Sequence, residues 1–165
     1  MTINQLAPVL GQKRLENTYR YAGGTISILI GGEDTGGAFS LWEGRQKPGS
    51  EPPLHVHYKS DETFYVLDGH MRFLIGERIY DAGPGDVVFA PRGIPHAFRI
   101  KSPVVRSLTV CTPSGFEEWF RQLGELAQSF ELPHEVVPFS PREFAKMNEL
   151  ARRLDTEIIP KPLDL

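Results

Sequence analysis

Between Pro52 and Gly69 the chain reads PPLHVHYKSDETFYVLDG. His55 and His57 stand one residue apart, and Glu62 follows soon after. In a β-strand, residues two apart share a face, so the two imidazoles project together from backbone positions about 7 Å apart. Glu62 opens the next apolar segment and is followed on its own face by Phe64 and Val66. A carboxylate that enters an apolar interior is costly unless it is paired, protonated or bound to a metal. A further residue of this kind lies in GDVVFAPRGIPHAFRI, where His96 is followed on its face by Phe98 and Ile100. Inward-facing His55, His57, Glu62 and His96 read as ligands for one divalent transition metal. Imidazole with carboxylate suits Fe, Mn, Ni, Co, Cu or Zn and argues against calcium. Four protein ligands on an octahedral ion leave two positions for water, dioxygen or a chelating substrate.

A single histidine on an apolar face is most often a hydrogen-bonded core residue, so the metal reading rests on the shared parity of all four. His70 follows Gly69 in a turn and His134 follows Pro133 in a loop, and both are expected at the surface. Cys111 ends an apolar run and reads as a buried, inert thiol. The face of Tyr58 is left open.

These residues must be positioned by strands. Short apolar runs occupy 25–31, 38–45, 53–57, 62–68, 70–76, 78–82, 86–90, 95–100 and 104–111, separated by turns rich in Gly and Pro. Many short strands at close spacing predict an all-β sandwich or barrel. Helix-length gaps between them are missing, which argues against a parallel α/β sheet. After Cys111 the period changes. Phe116, Trp119, Phe120, Leu123, Leu126, Ala127 and Phe130 fall on one helical face, with Ser114 and Glu117 as a capping box. A second helix is expected from Ser140, with Pro141 at its first position, Glu143 completing a capping box, and a stripe of Phe144, Met147, Leu150, Ala151 and Leu154. Both stripes are expected to pack against the outside of the barrel or a partner subunit. The tail EIIPKPLDL is expected to be irregular.

The 165 residues suit one domain with a hydrophobic core. A net charge of -3 predicts no attraction to nucleic acid or anionic membranes. No apolar run is long enough to span a bilayer. The N-terminus lacks the basic-then-apolar pattern of a signal peptide. The single cysteine leaves no internal disulfide, which fits a reducing, cytoplasmic setting.

The two site segments resemble the cupin family. Its first motif appears as Gly49, SEPPL, His55, Val56, His57, YKSD, Glu62, TFYVLD and Gly69. Its second appears as Gly85, DVVFA, Pro91, Arg92, Gly93, IP and His96, with Ile100 where asparagine is usual. That asparagine is not a ligand, so the metal assignment stands. The resemblance covers about residues 22 to 112 and implies an antiparallel jelly-roll β-barrel. The chain then divides into an N-terminal arm (1–21), the cupin β-barrel (22–112) and a C-terminal helical segment and tail (113–165). The arm is a candidate to add to another subunit's sheet.

A narrower likeness, in CTPSGFEEWFRQLGE and the helical C-terminus, is to quercetin 2,3-dioxygenase-like single-domain cupins. It implies a metal-dependent dioxygenase that cleaves a flavonol or related enolic aromatic with O2. Glu62 is then a metal ligand or the general base for the substrate hydroxyl. Phe64, Phe73, Phe98 and Ile100 face inward by parity and are expected to line a substrate pocket, or to fill the barrel. Alternatives are a metal-dependent isomerase, decarboxylase or hydrolase, or a small-molecule-binding cupin without catalysis. A homodimer is expected, because TISILIG and the Trp42 strand need cover; the resemblance implies the same.

Overall fold

The computed structural model describes residues 6–136, 139–161 and 165. Strands β1 (Thr18–Tyr21), β2 (Gly24–Ile30) and β3 (Ser40–Gln46) open the chain, with one turn of helix, α1 (Gly32–Thr35), between the last two. Next come β4 (His55–His57), β5 (Asp61–Asp68), β6 (Met71–Ile75), β7 (Arg78–Ala82), β8 (Val87–Ala90), β9 (His96–Ile100) and β10 (Val105–Thr112). Helix α2 (Glu118–Leu123), β11 (Glu125–Leu126), α3 (Pro141–Arg153) and β12 (Thr156–Ile158) complete it. Two antiparallel sheets result, ordered β11-β1-β2-β3-β10-β5-β8 and β12-β4-β9-β6-β7. This is an antiparallel jelly-roll barrel with C-terminal helices. No helix among the described residues is long and apolar enough to cross a membrane.

Inward faces follow the period of two. In β5, Glu62, Phe64 and Val66 are buried, while Tyr65 between them is exposed. One core cluster joins Phe64 and Val66 to Met71, Phe73, Phe98 and Ile100 between the sheets. Gly69 turns the chain from β5 to β6 with φ +82, and a Cβ there would meet the Val104 carbonyl oxygen at 2.4 Å. A side chain is thus barred both by conformation and by space.

The second cluster corrects an expectation. Ile26, Ile28 and Trp42 share the inward side of β2 and β3, and they pack against Trp119, Phe120, Met147, Leu150 and Ala151. The helices therefore close the barrel against its inward-facing residues and do not lie on its outside. The cover that TISILIG and the Trp42 strand need comes from the chain itself, so that argument for a partner subunit falls away.

The first helix is much shorter than its apolar period suggested. It stops at Leu123, and Gly124 leaves the helix in an extended conformation. Glu125 and Leu126 instead pair with Arg20 and Tyr19 of β1. A ladder along an open sheet edge satisfies backbone groups that the helix would leave unpaired. Leu126 and Phe130, counted on the helical face, are exposed. Nor does Ser114 cap the helix: Glu117 stands at its N-cap, its carboxylate accepting the amides of Gly32 and Gly115 at 2.9 and 2.6 Å. Helix α3 forms with its capping box intact, the Ser140 amide donating to Glu143 at 2.7 Å and the Glu143 amide to Ser140 Oγ at 3.3 Å.

Part of the arm, Thr18–Tyr21, is β1 and pairs with this chain's own β2; residues 1–5 lie outside the described residues. The tail is not wholly irregular. Thr156–Ile158 adds β12 to the edge of β4, while 162–164 lie outside the described residues.

Candidate metal centre

Three strands from different parts of the chain build the site. His55 and His57 lie on β4, and β4 pairs with β9 so that His55 faces His96 directly. Glu62 is the second residue of β5, in the opposite sheet. The loop that delivers His96 is tied to the residue before Glu62: the Arg92 amide donates to Asp61 at 2.7 Å, and its guanidinium grips both carboxylate oxygens at 3.0 and 2.6 Å. The Gly93 amide donates to the His57 carbonyl at 2.7 Å. The two histidine segments are thus locked together by backbone as well as side chain.

All four side chains are buried, and one ligand atom from each lies within 4.8 Å of the other three. Glu62 Oε2 is 3.1 Å from His96 Nε2 and 3.4 Å from His57 Nε2. The second distance is too long for a strong hydrogen bond, and His57 Nε2 is left buried without a partner.

The outer nitrogens explain why. His55 Nδ1 donates to the Pro53 carbonyl at 2.9 Å, and His96 Nδ1 to the Ile94 carbonyl at 3.0 Å. His57 Nδ1 lies 2.8 Å from Thr156 Oγ1. Carbonyls only accept, so the Nδ1 atoms of His55 and His96 carry protons; the neutral His55 ring has its lone pair on Nε2, and His96 has one there whenever Glu62 does not hold a proton on it. Lone pairs and a carboxylate then converge on one dry point. Such an array is repulsive unless a cation or a shared proton sits inside it. The donor set therefore fits a divalent first-row metal held by His55, His57, Glu62 and His96.

Charge is arranged accordingly. Burial pushes His55 down to about 3, and the neighbouring His96 and His57 add to the fall, so its ring is neutral. Burial would lower His96 too, but the Glu62 carboxylate outweighs it and raises it. Burial alone would raise Glu62; His57 and His96 outweigh this and hold it well below the usual carboxylate range.

The centre opens on a cavity of about 90 Å³. Its wall is mainly apolar, with Trp42, Phe64, Phe98, Phe116, Trp119 and Phe120, while Gln46, Ser107 and Thr109 contribute polar groups. Of the expected pocket residues, Phe64 and Phe98 reach the wall, and Phe73 and Ile100 pack in the core behind it. Phe116 sits edge-on to His57, ring centroids 4.4 Å apart. The sequence offered a signal for Phe116, Trp119 and Phe120 in their apolar stripe. It pointed to a packing surface, not to a pocket wall. Nothing in the sequence marked Thr156.

His70 and His134 are exposed. Tyr58 points away from the centre, its hydroxyl donating to Glu157. Cys111 faces Glu62 across β10 and β5. Burial pushes its thiol up to about 12, with the Glu62 charge adding to the rise, so it stays protonated and is a poor nucleophile.

Against known families, residues 42–111 match the profile described as "Cupin domain". That span contains the four converging side chains and both motifs. These residues are a cupin domain. Within the curated proteins, the chain is 29% identical over 108 residues to a quercetin 2,3-dioxygenase of Bacillus subtilis (strain 168), covering 66% of this chain and 32% of that protein. The chain thus spans about a third of that relative's length. Among solved structures, KdgF from Halomonas sp. is 16% identical with a TM-score of 0.59, covering 68% of this chain and 99% of its own. The oxalate decarboxylase of Lactobacillus farciminis is 22% identical with a TM-score of 0.52, covering 59% of this chain and 31% of its own. At these identities the two structures are similar in fold alone.

Proposed function

We propose that this cupin is a metal-dependent dioxygenase acting on an enolic substrate with O2. The observation that supports this reading is the buried three-histidine, one-glutamate cluster at the floor of an aromatic-walled cavity. A bound divalent ion would supply a Lewis acid with open positions for substrate and O2. The chain's own residues do the rest. Trp42, Phe64 and Phe98 exclude water and offer flat apolar faces to a planar substrate. Glu62, at the edge of the cavity, would accept the proton of the substrate hydroxyl as general base on swinging off the ion. The likeness to quercetin 2,3-dioxygenase supports the enolic class.

The size of the cavity favours a refinement. About 90 Å³ is small beside the roughly 300–1,000 Å³ of sites for drug-sized ligands. A single-ring or acyclic enol fits this space better than a three-ring flavonol, which needs Phe116 and Trp119 to move. The same observation favours a second reading, a non-oxygenase metal-dependent reaction (isomerase, decarboxylase or hydrolase) on a small substrate, in line with the similar fold of the oxalate decarboxylase. Oxygen uptake separates the two. Metal-loaded protein is screened against small enols and flavonols, with product analysis in parallel. Uptake with small enols supports the dioxygenase. Product formation without uptake supports the second reading. Tight binding without turnover leaves a binding protein.

A homodimer is also proposed, on a different face from the one the sequence suggested. The edge strand β8 exposes Val87 and Phe89 beside Tyr65 of β5, and an exposed apolar edge invites a second copy. A monomeric mass by light scattering at micromolar concentration contradicts it.

A further inference from the structure

We infer that Thr156 is a positioning residue that sets the tautomer of His57, which makes the C-terminal strand β12 a working part of the metal centre. The inference rests on the reading of His55, His57, Glu62 and His96 as metal ligands.

The three histidines are not oriented alike. His55 and His96 each donate from Nδ1 to a main-chain carbonyl two residues earlier, Pro53 and Ile94. Those acceptors are local and come with the strand entry. His57 has no such carbonyl. Its Nδ1 meets Thr156 Oγ1 at 2.8 Å, from a strand that reaches β4 only after two helices.

The hydroxyl's own proton decides the direction of this bond. Thr156 Oγ1 lies 3.2 Å from the Leu154 carbonyl, which can only accept. The hydroxyl therefore donates to Leu154 and accepts from His57 Nδ1. His57 is left with its lone pair on Nε2, the buried nitrogen that has no other partner. The opposite tautomer would place a proton at the centre and block ligation.

The register of β12 enforces the contact. Thr156 pairs with His57 and Ile158 with His55. The Tyr58 amide donates to the Asp155 carbonyl at 2.8 Å, and the Ile159 amide to the Leu54 carbonyl at 2.8 Å, fixing the strand at both ends. Helix α3 leads directly into β12, and its Met147, Leu150 and Ala151 are anchored in the core. The C-terminal segment thus does more than cover the barrel. It carries one hydroxyl to one ligand.

The test uses the full chain as wild type, Thr156→Val and Thr156→Ser. Valine keeps the branched shape and removes the hydroxyl; serine keeps the hydroxyl. Nitrogen-15 NMR of the metal-free wild type reads the tautomer, and the expected result is a protonated Nδ1 and a bare Nε2 on His57. A wild-type His57 protonated on Nε2 overturns the inference, whatever the variants do. In Thr156→Val a mixture of tautomers is expected, with Zn²⁺ affinity lowered about 10–100-fold, the usual cost of losing such a partner. Thr156→Ser should restore both readouts. Unchanged tautomer and affinity in a folded Thr156→Val, or a folded Thr156→Ser that fails equally, overturns the inference. If the wild type takes up no metal at all, the metal reading fails, and the tautomer measurement still decides the role of Thr156.

Discussion

His55 and His96 stand directly opposite each other across β4 and β9, with ring centroids 4.5 Å apart. One cross-strand pair thus brings the two histidine segments onto a single point, and Glu62 completes it from the other sheet. Base and ligand roles overlap at this point, and substitutions separate them.

Glu62→Gln is expected to lose turnover more completely than metal. Three neutral imidazoles still hold a divalent ion, and the amide oxygen remains a weak ligand. The amide cannot accept a proton, so the substrate hydroxyl loses its base, a contribution of about 10²–10⁴-fold. Oxygen uptake beside metal analysis checks this. Full metal with near-normal turnover removes Glu62 from the deprotonation step.

His96→Ala is expected to behave differently. It removes a ligand and one side of the cross-strand pair, so metal occupancy and activity fall together. Metal content per chain after purification without added metal reads the loss. Occupancy equal to wild type shows that His96 is not a ligand.

Glu117 ties the turn before α2 to the Gly32 amide of α1, and it is buried. Glu117→Ala leaves two amides without their acceptor, at about 1–3 kcal/mol each when buried. The midpoint of urea unfolding should fall accordingly. A midpoint within error of wild type shows that water replaces the carboxylate freely.

Gly124→Ala is expected to destabilise the chain by about 1–3 kcal/mol, the usual cost of forcing an extra methyl into packed structure. The added Cβ would meet the Phe120 carbonyl oxygen at 2.6 Å and Tyr19 Cβ at 2.9 Å. Urea unfolding checks the size, and an unchanged midpoint refutes the claim that close approach fixes glycine here.

The strands that carry the site were legible because alternation is local. Glu62, Phe64 and Val66 announce one face of β5 without any knowledge of its neighbours, and His96 with Phe98 and Ile100 does the same for β9. The elements that were missed depend on partners distant in sequence. β11 is two residues long and exists only because β1 offers an open edge, which no window around Glu125 reveals. The stripe of Trp119 and Phe120 gave the right chemistry and the wrong neighbour, since periodicity shows that a face is buried and not against what. Thr156 carries no pattern at all; its role appears only when β12 is laid beside β4.

The most direct test of the metal centre is calorimetric titration of chelator-treated protein with Zn²⁺ or Mn²⁺, wild type beside the double variant His55→Ala/His57→Ala. The expected result is one ion per wild-type chain, with binding abolished in a variant that remains folded by circular dichroism. No uptake by the wild type, or equal uptake by the double variant, would contradict the assignment of His55, His57, Glu62 and His96 as the ligands.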